Sequence, residues 1–353
     1  MSWPVPQFGS LADVTDIGTL TSIMGPIRNL DRSSLSTVGF TPASHELLTI
    51  ILSTGEQRRL ILKHVRLSTD WTARRTSDHI GREAALLSES TLAGIWQSFD
   101  SPYRAFAVEQ NDIALLMDDL SPYLFPDQRV PLREEEEELL LKTLAEMHGL
   151  FWTSEALSLP WLALPHHFAG LLDPMSAERK GDLDLLPPAL RERVSQGWIA
   201  ARKLLPVRLF NALRIPASEF ARRWDNLPRT LVHGDVKVAN FALMPGGRVA
   251  AFDWAMVGAG PATIDLGWYL AVNASRLARS KDQVVSRYRT LLTEQLRGPL
   301  TDSLWTDLEN AGVICGARML LWSKALAVDN NAPGAHDEWN WWVTRVEAAH
   351  NAT

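Results

Sequence analysis

Residues 231–240 read Leu-Val-His-Gly-Asp-Val-Lys-Val-Ala-Asn, and residues 251–254 read Ala-Phe-Asp-Trp. Strand-like runs flank the first stretch, so Asp235 and Asn240 should lie in a short loop, with Asp253 at the end of the following strand. A carboxylate in such a loop can orient an acceptor hydroxyl and take its proton. The Asn240 carbonyl oxygen and the Asp253 carboxylate are hard ligands of the kind that Mg²⁺ prefers. The pattern predicts phosphoryl transfer, with Asp235 as the base and Asn240 and Asp253 as the metal ligands.

The composition is that of a soluble globular protein. The chain has 353 residues, enough for two lobes with separate cores, and 46% of them are hydrophobic. Lysine and arginine number 35 against 41 acidic residues, a net charge of -6 that argues against a nucleic-acid partner. The N-terminus lacks a signal-peptide pattern, and no apolar stretch reaches the roughly 18 residues of a membrane span. We therefore expect a cytoplasmic protein without a membrane partner.

The single cysteine, Cys315, excludes an intramolecular disulfide and fits a reducing compartment. It lies in the apolar run Val-Ile-Cys-Gly-Ala, so we expect a small buried side chain rather than a reactive thiol.

The periodicity predicts an α+β protein with two lobes, residues 1–120 and 121–353. The first lobe should contain a small antiparallel sheet with one helix. Its predicted elements are strands 47–52, 60–65, 105–109 and 113–117 and helix 77–88, which Asp78 would cap. The second lobe should be mainly helical and begin with a long helix over 133–152. The boundary falls at residues 118–122, where strands give way to helices.

Four motifs carry a resemblance to a known family. They are His-Gly-Asp-x-x-x-x-Asn, met by His233, Gly234, Asp235 and Asn240; the pair Asp253-Trp254; Asp265 within residues 261–267; and Leu-Ala-Glu-Met-His-Gly-Leu-Phe-Trp at 144–152. With them the chain resembles the aminoglycoside phosphotransferase and choline kinase group, small-molecule kinases with a bilobal protein-kinase-like fold. The resemblance covers most of the chain. It implies ATP and Mg²⁺ as cofactors, a bracing role for Asp265, and a buried structural role for His148.

The resemblance also implies where the nucleotide binds. Lys63, at the end of a predicted strand, matches the lysine that contacts the α- and β-phosphates, and Glu83, on the following helix, can pair with it. The segment 116–120, with Met117, Asp118 and Leu120, should bind the adenine through backbone groups.

Two features depart from the family pattern. The loop over the phosphates should be rich in glycine, whereas the candidate segment 36–44 has a single glycine. Lys237, two residues after Asp235, stands where small-molecule kinases often carry histidine or another polar residue and where protein kinases carry lysine. A cation at this position could neutralise the transferring phosphoryl group, and we count Lys237 among the catalytic residues.

The spacing after the metal motif favours a small-molecule acceptor. Only residues 254–264, 11 in all, separate Asp253 from Asp265, which leaves no room for the activation segment of a protein kinase. Four C-terminal tryptophans, Trp322, Trp339, Trp341 and Trp342, lie near several carboxylates in the sequence and could bind an amine or stack on a sugar, or could be helix-packing core. Aminoglycoside, choline-like amine, sugar and amino-alcohol acceptors all stay open. The alternative to an enzyme is a catalytically silent relative that binds nucleotide or metabolite.

Overall fold

The structure is a computed structural model and describes residues 4–35, 42–125, 130–179 and 181–352. These residues divide into two units. Unit 1 comprises the described residues of Met1–Phe125 together with Phe241–Ala255, and unit 2 those of Pro126–Asn240 and Met256–Thr353. The predicted lobes were each one continuous segment, whereas residues 241–255 group here with the N-terminal part of the chain.

The strands of the described residues are β1 (Gln7–Phe8), β2 (Ile27–Leu35), β3 (Ser44–Leu52), β4 (Gln57–Arg66), β5 (Tyr103–Glu109), β6 (Asp112–Asp118), β7 (Thr230–Val232), β8 (Phe241–Met244), β9 (Arg248–Ala251) and β10 (Gly258–Gly260). The α-helices in unit 1 are α1 (Ile17–Met24), α2 (Trp71–Arg75), α3 (Arg82–Ser88) and α4 (Ile95–Ser98). Those in unit 2 are α5 (Glu134–Leu150), α6 (Pro165–Ala169), α7 (Pro174–Glu178), α8 (Pro188–Leu204), α9 (Val207–Leu213), α10 (Ala217–Arg223), α11 (Thr263–Val272), α12 (Lys281–Gln295), α13 (Asp302–Asp329) and α14 (Ala335–Asn351).

Unit 1 is built on a six-stranded sheet in the order β1-β5-β6-β4-β3-β2. All neighbours pair antiparallel except the short edge strand β1, which runs parallel to β5. Alternate residues of β3 and β4, such as Leu48, Ile50, Leu60 and Leu62, are buried in one core cluster. Because side chains alternate along a strand, Lys63 points to the opposite face of β4 from this core. The four predicted strands and the antiparallel sheet are confirmed.

The predicted helix over 77–88 begins only at Arg82. Ser77 and Gly81 both have positive φ, 55° and 78°, which no α-helix contains. Asp78 nevertheless caps the helix as predicted, since its carboxylate accepts the backbone N–H groups of Gly81 and Arg82, each at 2.9 Å. A Cβ on Gly81 would also lie 2.0 Å from the Ile113 side chain. Glycine is therefore required at the residue that precedes α3.

Unit 2 is mainly helical, as predicted, and its long first helix α5 confirms the segment expected over 133–152. The core helix is α13, which packs against α8, α11 and α14. Glycines permit the closest approach: a Cβ on Gly267 of α11 would lie 2.0 Å from the Gly312 carbonyl oxygen. Cys315 of α13 is buried as expected, and burial raises the pKa of its thiol to about 12.

The expectation that no segment reaches the length and apolarity of a membrane span is wrong. Among the described residues, α13 alone has that length and composition, with a mean hydropathy of 1.4 over 18 residues. Of that window, 72% is buried against other parts of the protein. This burial is what the core helix of a soluble protein shows.

Candidate active site

Lys63 lies between two carboxylates of unit 1. Its Nζ is 2.7 Å from Glu83 Oε2 and 2.8 Å from Asp253 Oδ1. Burial alone would lower the pKa of this ammonium group, but Asp253 and Glu83 outweigh burial and raise the pKa above its usual value. Lys63 is therefore a permanent buried cation, and the predicted pairing of Lys63 with Glu83 is present.

Glu83 connects three elements of unit 1 through its two oxygens. While Oε2 accepts from Lys63, Oε1 accepts the Tyr103 hydroxyl at 2.6 Å and the Asp253 backbone N–H at 3.1 Å. The carboxylate is 4% exposed, and these charge-assisted bonds compensate for its loss of water. Sequence reasoning missed Tyr103, because a lone tyrosine at the start of a strand is typical of any sheet core.

Asp253 has a backbone conformation that is rare outside glycine. Its φ is 64°, in the left-handed region, at a cost of order 1–3 kcal/mol that the surroundings must offset. On one side, Glu83 and Tyr103 hold its backbone N–H. On the other, the Trp254 ring is fully buried and packs edge-on against Trp96 and Phe99. The carboxylate of Asp253 is thus aimed by a fixed backbone.

In unit 2, Asp235 lies in the loop after β7, and both of its carboxylate oxygens accept hydrogen bonds. Oδ2 accepts from Lys237 Nζ at 2.8 Å and from Asn240 Nδ2 at 3.0 Å. Oδ1 accepts from the indole Nε1–H of Trp268 at 2.7 Å. The structure therefore brings the predicted residues Asp235, Lys237 and Asn240 together, and adds Trp268, which sequence reasoning missed.

The geometry of Asn240 fits a role as an oxygen ligand. Its amide nitrogen donates to the Asp235 backbone carbonyl at 2.9 Å as well as to the carboxylate. The amide is thereby oriented so that Oδ1, the atom a hard cation would bind, points away from Asp235. No group of three or more His, Cys, Asp or Glu residues within the described ranges could hold a metal ion. The predicted pair of one amide and one carboxylate needs no such group, since water and phosphate oxygens complete the shell of Mg²⁺.

The loop that carries Asp235 is braced by Asp265 of α11. One Asp265 oxygen accepts the His233 N–H and the other the Gly234 N–H, each at 2.8 Å. His148, fully buried as expected, lies 3.1 Å from Asp265 through Nε2 and contacts the Tyr288 hydroxyl through Nδ1. The bracing role that the sequence assigned to Asp265 is thus visible as two hydrogen bonds to the loop backbone.

The far end of the same loop is held by Asn273, which sequence reasoning also missed. Its Oδ1 accepts the Val238 N–H and its Nδ2 donates to the Val236 carbonyl, each at 2.9 Å. At the near end, Gly234 has φ 79°, and a Cβ there would lie 2.4 Å from the Met256 carbonyl oxygen. The glycine of the motif is therefore required by both conformation and space.

Other predicted nucleotide-binding residues lie at the end of β6. Met117 is buried in the strand, and the Asp118 carboxylate forms a two-pronged ion pair with Arg104 at 2.6–2.8 Å. Leu120 packs against Ala242 and Ala250. Their role in adenine binding stays a prediction. Most of the candidate phosphate-covering loop, residues 36–41, lies outside the described residues.

The C-terminal tryptophans are mostly helix-packing core. Trp322, Trp339 and Trp342 are at most 6% exposed. The carboxylate nearest to them, Glu338, accepts from Trp342 Nε1 at 3.0 Å and is ion-paired with Lys281 and Lys324.

The more exposed Trp341 already has cationic neighbours. Lys281 Nζ and the Arg345 guanidinium lie 5.3 and 5.5 Å from its ring centroid. The chain's own cations thus occupy the positions that an amine acceptor would take in this cluster.

Several solved structures are similar to this chain. A choline kinase from Streptococcus pneumoniae is 14% identical, with a TM-score of 0.45, and the match covers 94% of this chain and 97% of that one. An ethanolamine kinase from Plasmodium vivax is 13% identical, with a TM-score of 0.47 and coverage of 94% and 86%. An aminoglycoside phosphotransferase from Streptomyces rimosus is 14% identical, with a TM-score of 0.42 and coverage of 87% and 94%. These likenesses assign no acceptor to the chain.

The sequence itself matches a family model over most of its length. Comparison with curated protein sequences gives no match. The model of the phosphotransferase enzyme family, in contrast, matches residues 41–298, a segment that holds Lys63, Glu83, Asp235, Asn240 and Asp253. The chain therefore belongs to the phosphotransferase enzyme family and is an ATP-dependent phosphotransferase with the kinase-like fold that its motifs predict.

Proposed function

We propose that this protein transfers the γ-phosphoryl group of ATP to a hydroxyl of a small molecule, in the presence of Mg²⁺, with Asp235 as the base. In this reaction the acceptor oxygen forms a bond to the γ-phosphorus, and the bond from that phosphorus to the β,γ-bridging oxygen breaks. ADP leaves, and the hydroxyl proton passes to the Asp235 carboxylate.

The observation that carries this proposal is the buried Lys63 cation held between Glu83 and Asp253. A lysine held by two carboxylates keeps its position and can bind phosphate oxygens, which is the role of such a lysine in phosphoryl transfer. Asp253 and Asn240 would hold the metal, which when bound neutralises charge on the phosphates.

The contacts of Asp235 support its role as the base. The plane of the Asp235 carboxylate is fixed by hydrogen bonds from Trp268, Lys237 and Asn240. The carboxylate therefore need not rotate when an acceptor binds. The incoming hydroxyl would share Oδ2 with Lys237 or displace it. Lys237, whose Nζ lies 2.8 Å from the Asp235 carboxylate, would then be a cation for the transferring phosphoryl group.

A panel of candidate acceptors would identify the chemical class of the acceptor. We would measure Mg²⁺-dependent ADP release across aminoglycosides, choline-like amines, amino alcohols and sugars, with wild type and Asp235→Asn. One chemical class should accelerate release, and the variant should lose at least about 100-fold of that rate, the lower range for a general base. Nucleotide binding by the variant should stay within about 2-fold, because Lys63 and Asp253 are unchanged.

A matched control is Asp225→Asn, an exposed carboxylate of unit 2 that pairs only with Arg229 in the contacts described. Its turnover should equal that of the wild type. Nucleotide binding without acceleration by any acceptor would instead favour the catalytically silent alternative. No nucleotide binding by the wild type would overturn the proposal.

A further inference from the structure

The hydroxyl of Tyr103 lies at the centre of the nucleotide-holding residues of unit 1. Tyr103 is the first residue of β5 and its side chain is 1% exposed. Its hydroxyl donates to Glu83 Oε1 at 2.6 Å and accepts the backbone N–H of Asp253 at 3.2 Å. Both hydrogen-bonding capacities of the phenol are used, so it connects α3 to the segment that follows β9.

Hydrogen bonds from Tyr103 and from the Asp253 backbone constrain the carboxylate of Glu83. Because Oε1 is held by Tyr103 and by the Asp253 backbone, Oε2 is directed at Lys63. Burial and the adjacent Glu83 carboxylate raise the pKa of the Tyr103 hydroxyl well above its usual value. The hydroxyl thus stays protonated and remains a donor at physiological pH.

The same bonds constrain the backbone of Asp253. Its positive φ of 64° is a conformation that aspartate rarely adopts, so contacts on its N–H are needed to maintain it. Glu83 Oε1 and the Tyr103 hydroxyl both accept this N–H. Loss of the hydroxyl would remove one of these acceptors and would also leave the Glu83 carboxylate, the other acceptor, less well oriented.

We propose that Tyr103 is a positioning residue, which aims the Asp253 carboxylate at the nucleotide-bound metal by holding the Asp253 backbone and the Glu83 carboxylate. The inference rests on the proposed function, because it assumes that Asp253 binds Mg²⁺ together with ATP. Tyr103 would act through Asp253 and Glu83 and would not itself contact substrate or metal. Its effect should therefore be on the metal-dependent part of nucleotide affinity and on kcat.

The test is Tyr103→Phe, which removes one oxygen atom and keeps the ring. Calorimetric titration with ATP should show affinity in the presence of Mg²⁺ reduced roughly 10-fold, the size expected for a lost hydrogen bond to a charged group. Affinity in EDTA should change less than about 2-fold, and so should KM for the acceptor, because these do not depend on where the Asp253 carboxylate points.

The matched control is Tyr269→Phe. Tyr269 is equally buried, and its hydroxyl also meets a carboxylate, that of Glu137 at 3.4 Å, but it lies in unit 2. This variant should also lose some thermal stability but keep its Mg²⁺-dependent ATP affinity. Equal loss of that affinity in both variants would show a general effect of a lost buried hydroxyl and overturn the inference.

ATP binding by the wild type distinguishes a failure of this inference from a failure of the proposed function. Suppose that the wild type binds ATP in an Mg²⁺-dependent way and that Tyr103→Phe keeps this affinity within about 2-fold. The proposed role of Tyr103 is then overturned, and the proposed function is not. Wild type that shows no Mg²⁺-dependent binding overturns the proposed function, and this inference with it. A selective loss in Tyr103→Phe, with KM for the acceptor unchanged, is the supporting result.

Discussion

The indole Nε1–H of Trp268 donates a hydrogen bond to Oδ1 of Asp235 across 2.7 Å. Trp268 lies on α11 three residues after Asp265, which holds the backbone of the same loop. One helix therefore positions both the loop and the side chain of its aspartate. A hydrogen bond from a neutral indole fixes the carboxylate without placing a second cation beside Lys237.

Replacing Trp268 by Phe should lower kcat by roughly 10- to 100-fold, since the aromatic packing stays but the carboxylate loses one of the donors that orient it. ATP affinity should not change, because Lys63, Asn240 and Asp253 are unaltered. Steady-state kinetics and calorimetric titration would measure these two quantities. Trp341→Phe is the control: it also loses an indole bond to an aspartate, Asp282 at 2.9 Å, and should keep the wild-type kcat. An effect on acceptor KM alone would contradict a role in orienting the base.

Lys63→Met should abolish tight ATP binding and also destabilise unit 1. The change removes the cation between Glu83 and Asp253 and leaves two carboxylates facing each other, at a cost of about 3–5 kcal/mol where charges are buried. Urea denaturation would measure the free energy of unfolding, and thermal shift with ATP the binding.

A second variant separates these two effects of Lys63. Adding Glu83→Gln to Lys63→Met removes one of the uncompensated charges, so stability should recover in part while ATP binding stays lost. Lys142→Met, on an exposed side chain of α5, is the control and should match the wild type in both measurements. Recovery of ATP binding in the double variant would show that Lys63 serves the fold rather than the phosphates.

Asp265→Asn should lower stability by about 2–4 kcal/mol and also lower kcat. The amide offers one acceptor oxygen in place of two, so either the His233 or the Gly234 N–H loses its partner inside the protein. The loop that carries Asp235 should then lose its fixed position. Urea denaturation and kcat would be compared with those of Asp302→Asn, whose carboxylate is 94% exposed and should tolerate the change. Stability unchanged by Asp265→Asn would contradict the bracing role.

The sequence predicted those parts of the site that depend on spacing within a short segment. Asp235 and Asn240 are five residues apart in one loop, and a single turn of chain brings the Asn240 amide to the carboxylate. Lys63 and Glu83 were predicted from the family resemblance, because the lysine on a strand and the carboxylate on the following helix come in the order that the family pattern has. These relationships are local, or follow from the order of elements along the chain.

The parts that sequence reasoning missed depend on contacts between distant segments. Tyr103 is 150 residues from the Asp253 N–H that it accepts, and Trp268 is 33 residues from Asp235. Tyrosine and tryptophan are common in any core, so nothing in their own segments distinguishes these two. Similarly, the late start of α3 depends on a left-handed Ser77, a conformation that helical periodicity does not report.

The ion pairs of Glu338 make one part of stability sensitive to acid. Burial alone would raise the pKa of this carboxyl, but Lys324 and Lys281 outweigh burial and lower the pKa below its usual value of 4.5. A carboxyl whose pKa is lower in the folded than in the unfolded state stabilises the protein fully above the unfolded pKa. That stabilisation is lost as the pH falls below the unfolded value and on through the lower folded pKa.

Glu338→Gln should therefore be less stable than the wild type at pH 7, by roughly 1–3 kcal/mol, since two lysines lose their counter-charge while the site keeps some access to water. The difference should shrink as the pH falls below the unfolded pKa of about 4.5, because the wild-type carboxyl then becomes protonated through its lower folded pKa. Urea denaturation at pH 7, 5, 4 and 3 would measure it, with Glu192→Gln on the exposed face of α8 as the control. A difference that stays constant with pH would mean that Glu338 stabilises α14 by packing and not by charge.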